Sequence, residues 1–216
     1  MLENTELHIN PGHGAWTLEQ DEEQQIVLIF DDACTTLPRE LIFNLKGKGA
    51  SLNIIGIILL RALPLKGRNH LRVRLKVAHY GADTKSRVDV VSVLGDSAGQ
   101  DVDGMIQIKK GAKGADSALS HRTLTLSSLA KSVTVPSLEI EEDDVKASHA
   151  GTTGPIDPEQ LFYLQSRGLK SEEAQQVIAQ GFLGQVIEKI KDEEVRENVS
   201  KLLFLDVIPA PYHGTG

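Results

Sequence analysis

Hydrophobic and polar residues alternate in short segments over the first 140 residues of the chain. In residues 71–77, aliphatic side chains occupy the odd positions and basic side chains the even ones. A period of two predicts a strand with one buried and one solvated face. Comparable strands are predicted at 26–30, 41–45, 52–60, 88–94, 102–109, 119–126 and 133–140.

These strands recur at a nearly constant interval. Gly-Ala pairs begin at Gly49, Gly81 and Gly114, with spacings of 32 and 33 residues, and the strands that start at residues 41, 71, 102 and 133 are spaced by 30, 31 and 31. An interval of this size is typical of stacked, solenoid-like coils, with two strands per coil and glycine at one corner. The interval thus favours a parallel β-helix, and an antiparallel sandwich with accidental spacing is the alternative.

The pattern becomes helical after about residue 148. Asp157 followed by Pro158 predicts a helix start, and Gly168 predicts its left-handed end. Ser171 is predicted to cap a second helix, and a third is predicted over 192–205. Such helices can cap an exposed strand edge or present a surface to a partner.

The predicted organisation has four parts. Residues 1–20 form a flexible N-terminal segment, 21–147 the parallel β-helix core, 148–208 a C-terminal α-helical subdomain, and 209–216 a loose tail. The fold class is therefore mainly β, a stacked-coil solenoid with an appended helical subdomain.

The charge distribution argues against nucleic acid as a partner. Residues 1–140 hold 16 basic and 16 acidic side chains, whereas residues 141–216 hold 7 and 14. Aromatic residues make up only 4% of the chain, too few for a base-stacking surface. The acidic last third either faces a protein partner or only aids solubility.

The sequence predicts a cytoplasmic protein. Cys34 is the single cysteine, so no disulfide can form within the chain. The N-terminus shows no apolar secretory signal, and the longest aliphatic run, 54–60, is far shorter than the ~20 residues that cross a bilayer.

Residues 136–182 carry a dense set of ordered motifs. P-S-L-E-I is followed by D-V-K-A-S-H, then by D-P-E-Q-L-F-Y-L-Q-S-R-G, and finally by an E-A and G-F helix. This window closely resembles the C-terminal signature of the SufB/SufD family of the SUF iron–sulfur cluster assembly system. Upstream the resemblance is weaker, and the chain is shorter than typical members. The absence of cysteine at positions where relatives have it favours a SufD-like or reduced homolog.

The resemblance implies a right-handed parallel β-helix that dimerises, as a homodimer or as a heterodimer with a SufB-like subunit. It also implies C-terminal helices that dock an ABC-type ATPase, SufC, and a transient iron–sulfur cluster. Catalysis belongs to the ATPase, and this chain has no G-x-x-x-x-G-K-[ST] motif. We therefore expect a scaffold without enzymatic activity.

Two other functions stay open from the sequence. One is a structural or regulatory relative that binds the ATPase but no longer assembles clusters. The other is a β-helix enzyme that acts on acidic polysaccharide, which would need clustered acids and bases on one face.

His149 is the candidate metal ligand, because it matches the histidine of the family's S-H motif and imidazole binds iron. The alternative is a structural histidine at the junction of sheet and helix. The candidate docking residues for the ATPase are Phe162, Tyr163, Arg167, Gly168, Glu172 and Phe182. Packing and helix termination are the alternative roles for this set.

Other reactive residues are assigned structural roles. Cys34 is expected to be a small buried hydrophobic residue, and Ala147 stands where relatives often have cysteine. His79 and His121 lack a second ligand at useful spacing, which argues against a metal site. The acidic residues 141–144 are expected to form a solvated turn.

Overall fold

The structure, a computed structural model, describes residues 4–33, 37–61 and 69–205 of the 216-residue chain. The strands of this part are β1 (Asn4–Ile9), β2 (Gly14–Leu18), β3 (Glu23–Phe30), β4 (Arg39–Leu45), β5 (Ser51–Leu60), β6 (His70–His79), β7 (Lys85–Leu94), β8 (Gly99–Ile108), β9 (Asp116–Thr125), β10 (Lys131–Ile140) and β11 (Lys146–Pro155). The helices are α1 (Pro158–Ser166), α2 (Ser171–Ile187) and α3 (Glu193–Leu205).

Consecutive strands alternate between two parallel sheets. Sheet I has the order β1-β3-β5-β7-β9-β11, and sheet II has the order β10-β8-β6-β4-β2. Each strand pairs in parallel with the strand two positions later in the chain; for example, Ile54 aligns with Val88, which aligns with Leu119. The predicted β-solenoid is therefore confirmed.

The core fills the space between the two sheets. It is built from the inward aliphatic positions of every coil, such as Ile54, Leu75 and Ile106, each at most 2% exposed. Because equivalent positions stack on one another, branched aliphatic residues fill the interior without many aromatics. Trp16 and Phe43 form a stacked pair near the first coils, with 4.8 Å between ring centroids.

Gly49 and Gly114 of the Gly-Ala repeat occupy equivalent positions at one corner of the solenoid, whereas Gly81 lies against Gly47, two residues earlier in the turn. Four stacked residues at this corner, Asp21, Gly49, Asp83 and Gly114, have φ values of 55°, 75°, 58° and 76°. The amide of each donates to a carbonyl of the next coil at 2.7–3.0 Å. A Cβ at Gly114 would lie 2.5 Å from Asp83 Oδ1, so glycine fits both the left-handed backbone and the aspartate beneath it.

The helices cover the outer face of sheet I. One interpretation of the sequence was that they cap a strand edge, and the described part of the structure does not show that arrangement. Ile55, Ile57 and Val91 point outward from the sheet and are buried against helical residues such as Leu183 and Val186. The outward aliphatic residues of sheet I are removed from water only if another element packs on that face, and the apolar sides of the helices pack there.

A side chain of sheet I also anchors the turn between α2 and α3. Gln25 Nε2 donates to the carbonyl of Lys189 at 3.1 Å, and Gln25 Oε1 accepts from the amide of Lys191 at 2.8 Å. Asp89 of β7 forms an ion pair with Lys189 at 2.8 Å. The helical subdomain is thus fixed to the solenoid by polar as well as apolar contacts.

The structure differs from the sequence interpretation at both ends. Within the segment assigned as flexible, 4–9 and 14–18 form β1 and β2, because they pair with β3 and β4. β11 extends the solenoid across the predicted boundary at 147/148. The tail 209–216 and Cys34 lie outside the described residues.

The helix boundaries are largely as predicted. Asp157 Oδ1 accepts from the amide of Glu159 at 2.9 Å, Pro158 follows, and Gly168 ends the first helix with φ 99°. Ser171 is the first helical residue of α2 and not its cap, because Lys170 holds the cap position and its amide donates to Glu173 at 2.8 Å. In the described part of the chain, no helix is long and apolar enough to span a membrane.

Candidate functional site

The C-terminal end of the solenoid is open. The terminal strands β10 and β11 each pair on one side only, with β8 and β9 respectively. Their other edges carry backbone donors and acceptors without a strand partner in the described structure. Such edges can pair with another chain.

His149 lies at this open end. It aligns with Leu119 of β9, whose side chain points into the solenoid and is 4% exposed, so His149 is on the same inward face. Because no coil follows, His149 is exposed. Within the described residues its imidazole has no hydrogen-bonding partner, which leaves both ring nitrogens available for a ligand.

The wall opposite His149 is formed by β10. Gly104 of β8 lies against Leu119, since a Cβ at Gly104 would be 2.8 Å from Leu119 Cδ1. Pro136 aligns with Gly104 and His149 aligns with Leu119, so these two residues face each other one layer higher. The open end is therefore a shallow depression between an imidazole and a proline.

Exposed aliphatic residues lie on both faces of β10, the strand that forms one wall of this depression. Leu138 and Ile140, on the inward side of β10, are 37% and 46% exposed. Val133 and Val135, on its outward side, are 53% and 51% exposed. The alternation in 133–140 predicted a strand, but the sequence interpretation did not assign these residues to an interface. The exposure of Leu138 and Ile140 depends on β10 being the last strand of sheet II, whereas Val133 and Val135 lie on the outer face in register with Asp101 and Asp103.

The candidate docking residues gather mainly on α1. This helix buries none of its side chains, and Phe162 and Tyr163 are 72% and 56% exposed. The guanidinium of Arg167 lies over the ring of Tyr163 at 5.3 Å from the centroid. A shallow cleft of about 400 Å³ runs beside Tyr163 between α1 and α2. The exposed aromatic pair and the cleft form a surface that can accept a partner.

Glu172 and Phe182 lie apart from that surface. Glu172 is exposed in the first turn of α2 and borders a mostly apolar cavity of about 510 Å³ between the helices and sheet I. Phe182 is half-buried against sheet I, and the guanidinium of Arg122 lies over its ring at 5.5 Å. The structure thus brings Tyr163 and Arg167 together, leaves Phe162 exposed on the same helix and packs Phe182 against sheet I.

The described residues contain no group of three or more His, Cys, Asp or Glu side chains placed to bind a metal ion. His79 and His121 are buried, and burial lowers the pKa of each to about 4. Their ring nitrogens hydrogen-bond to Ser and Thr hydroxyls at 2.8–3.0 Å. Both are neutral at pH 7 and are hydrogen-bonded inside the solenoid.

The sequence of this chain matches the profile of a known protein family. The family profile "SUF system FeS cluster assembly, SufBD core domain" matches residues 36–182, more than half of the chain. The chain belongs to the SufBD family. The matched range begins before β4 and ends within α2, so it includes most of the solenoid and the open end.

Individual SufBD relatives support the same assignment. An iron–sulfur cluster assembly SufBD family protein of Mycobacterium leprae is 41% identical over 138 residues, which are 60% of this chain and 35% of that protein. The iron–sulfur cluster assembly protein SufD of Escherichia coli is 33% identical over 156 residues, which are 72% of this chain and 36% of SufD. SufD of Bacillus subtilis is 35% identical over 128 residues, covering 59% and 29% of the two chains. The chain thus spans about a third of the length of these relatives.

Proposed function

We propose that this chain is a non-catalytic, cytoplasmic scaffold subunit for iron–sulfur cluster assembly. It dimerises through the open end of its solenoid and docks an ABC-type ATPase through its C-terminal helices. Membership of the SufBD family supports a role in cluster assembly. The observation that carries the proposal is the open end, where unpaired strand edges, exposed aliphatic residues and His149 lie together.

Dimerisation is supported by the composition of the open end. Unpaired edges of β10 and β11 can continue both sheets into a second chain, and Leu138 and Ile140 can bury apolar area against it. The second chain is either another copy of this protein or a SufB-like subunit. Either arrangement brings His149 to the interface, where the partner can supply further ligands for a transient cluster.

ATPase docking is supported by the surface of α1. Phe162 and Tyr163 are large exposed aromatic residues on a helix that buries none of its side chains, and aromatic anchors dominate the binding energy of many interfaces. The N-cap at Asp157 and the left-handed Gly168 fix both ends of the helix, so the anchors are held in place before binding.

The test of docking is co-purification with a SufC-like ABC ATPase, analysed by size-exclusion chromatography with light scattering. We expect a complex with two copies of each chain, lost in Phe162→Ala/Tyr163→Ala. The matched control is Leu129→Ala, which truncates an exposed apolar side chain on the solenoid, away from α1. If the wild-type chain forms no complex at micromolar concentration, the docking proposal is wrong.

The test of dimerisation uses Ile140→Lys, which places a charge in the proposed interface. We expect a monomer in light scattering, whereas Tyr80→Lys, at a 43% exposed position elsewhere, should leave the dimer intact. A dimer that survives Ile140→Lys would exclude the open end as the interface.

The role of His149 is tested by anaerobic reconstitution with iron and sulfide. His149→Ala should lose cluster absorbance that His13→Ala retains. The alternative function is that of a relative that regulates the ATPase without assembling clusters. In that case neither variant forms a cluster, but the complex with the ATPase is normal.

A further inference from the structure

A buried polar cluster lies directly beneath the open end. We call it the His121 cluster; its members are Ser92, Gln100, His121, Thr123, Ser132 and Thr134. His121 Nδ1 is 3.0 Å from Thr134 Oγ1, and His121 Nε2 is 2.8 Å from Ser92 Oγ. Gln100 Nε2 donates to Thr123 Oγ1 at 3.0 Å and to Ser132 Oγ at 2.9 Å.

The cluster is one of two buried polar clusters in a mostly aliphatic interior, and the other contains His79, Ser86 and Ser117. His121 is 1% exposed and Gln100 is 0% exposed, so the polar atoms of both are removed from water. Burying them costs free energy unless each hydrogen bond forms, and an aliphatic pair of similar size would fill the space without that cost. Hydrogen bonds of this kind therefore specify one arrangement of the strands more than they add net stability.

The arrangement that they specify is the position of β10. This strand has a backbone partner on one side only, β8. The bond from His121 to Thr134 crosses from β9 in sheet I to β10 in sheet II, and Ser132 is held by Gln100 of β8. Two inward side chains of the last strand are thus tied to the coil beneath it.

The hydrogen bond between His121 and Thr134 also lies close to β11, the strand that carries His149. Gly151 aligns with His121, two residues beyond His149 on the inward face of β11. A Cβ at Gly151 would contact the Thr134 methyl group at 3.6 Å and no other atom within 4 Å among the described residues. Thr134 therefore stands between the buried imidazole and the face of the open end that presents His149.

We propose that His121 is a positioning residue for the open end. Its hydrogen bond to Thr134 fixes the free strand β10 against sheet I, and so sets the depression between β10 and the strand that carries His149. Binding of a partner and a cluster at the open end rests on the proposed function. The positioning of β10 by His121 can be measured whether or not that function is correct.

The test compares His121→Leu with His121→Asn. Asparagine can place an amide nitrogen near the position of Nδ1 and keep the bond to Thr134, whereas leucine fills the space without a hydrogen bond. Both variants are made in the Ile140→Lys background, so that dimer formation does not protect β10. Thr134→Val removes the same bond from the other side and provides an independent variant.

The first readout is hydrogen exchange of the backbone amides of β10. We expect His121→Leu and Thr134→Val to speed exchange at least tenfold, and His121→Asn to stay within twofold of the parent chain. The amides of β4, an inner strand of the same sheet, are the internal control. If β10 is unchanged in the leucine variant, or if asparagine and leucine act alike, the proposal is wrong.

The second readout is the dissociation constant of the dimer, measured without the Ile140→Lys substitution. His121→Leu should weaken the dimer at least tenfold, and His121→Asn should restore it. A wild-type chain that never dimerises refutes the proposed function, whereas the exchange data then still decide the role of His121. An unchanged dissociation constant in His121→Leu would show that the hydrogen bonds of His121 do not affect dimerisation at the open end.

Discussion

The two sheets of the solenoid share one interior but differ on their outer faces. Sheet I presents Ile55, Ile57 and Val91 outward, and α2 and α3 bury them. Sheet II presents charged residues outward, where Arg72 pairs with Asp101 at 3.4 Å and Arg74 with Asp103 at 2.8 Å. The same strand pairing therefore supports an apolar face on one side and a solvated face on the other.

This difference shows that the helical subdomain is an integral part of the fold. Without the helices, sheet I would expose a contiguous apolar face, and such faces drive association. Sheet II needs no cover, because its long charged side chains are solvated and only loosely paired. We expect substitutions on the two outer faces to differ in cost accordingly.

The strongest test of the comparison exchanges isoleucine for alanine on each outer face. Ile57→Ala removes a fully buried side chain of sheet I and should lower the free energy of unfolding by about 2–5 kcal/mol. Ile42→Ala, at a half-buried outward position of sheet II, should cost clearly less. Urea unfolding measures both, and equal losses would contradict the difference between the sheets.

The shared interior should make the protein sensitive to acid. Burial lowers the pKa of His79 to about 4 from 6.5, so its neutral form stabilises the fold fully above pH 6.5. That contribution, on the order of 3 kcal/mol, is lost as the pH falls from 6.5 through 4.

Urea unfolding of the wild type and of His79→Gln between pH 7 and pH 4 measures this contribution. His79 Nε2 lies 2.9 Å from Ser86 Oγ, and glutamine can keep this hydrogen bond but cannot be protonated in this range. The stability of the variant should fall less steeply with pH. Parallel curves would show that His79 is not the group responsible.

The corner that joins the sheets should be sensitive to backbone strain. Gly114→Ala forces alanine into φ 76° and places a Cβ against Asp83, which should cost about 1–2 kcal/mol. Gly184→Ala is the control, because this helical glycine has open space around its Cβ position and alanine favours a helix. Thermal unfolding should shift down for the first variant and not for the second.

The smallest effect is expected on the outer face of sheet II. Arg72 and Asp101 form an exposed ion pair, so the coupling between Arg72→Ala and Asp101→Ala should be below about 1 kcal/mol and should weaken with salt. A double-mutant cycle measures it. A larger coupling would mean that the ion pairs of sheet II are structural.

Much of the solenoid could be predicted from the sequence, because buried inner coils require alternation. Burial alternates through all of β4 and through residues 71–77 of β6, and the Gly-Ala pairs that begin at Gly49, Gly81 and Gly114 lie in turns between strands. β11 was missed because its inward face is open and needs no aliphatic residues, so K-A-S-H-A-G-T-T-G-P has no alternating pattern. β1 and β2 were missed because short strands depend on their pairing with β3 and β4.

The candidate site was predictable in part. His149 and the residues of α1 could be selected only through the motif resemblance, because no pattern of hydrophobicity marks an exposed histidine or an exposed aromatic pair. The proposed interface residues of β10 and the proposed role of His121 depend on which strand is last and which side chains meet across the sheets. Phe182 was assigned to docking, and its position against Arg122 became visible only in three dimensions.

The sequence by itself determined the coil interval, the inward aliphatic positions, the boundaries of the helices and the SufBD signature, since each of these follows from local order along the chain. Only the tertiary structure decided which sheet the helices cover, where the solenoid ends and what lies beneath His149. Those properties arise from contacts between residues about 30 or more positions apart, as in the pairing of Leu119 with His149, and local order cannot specify them.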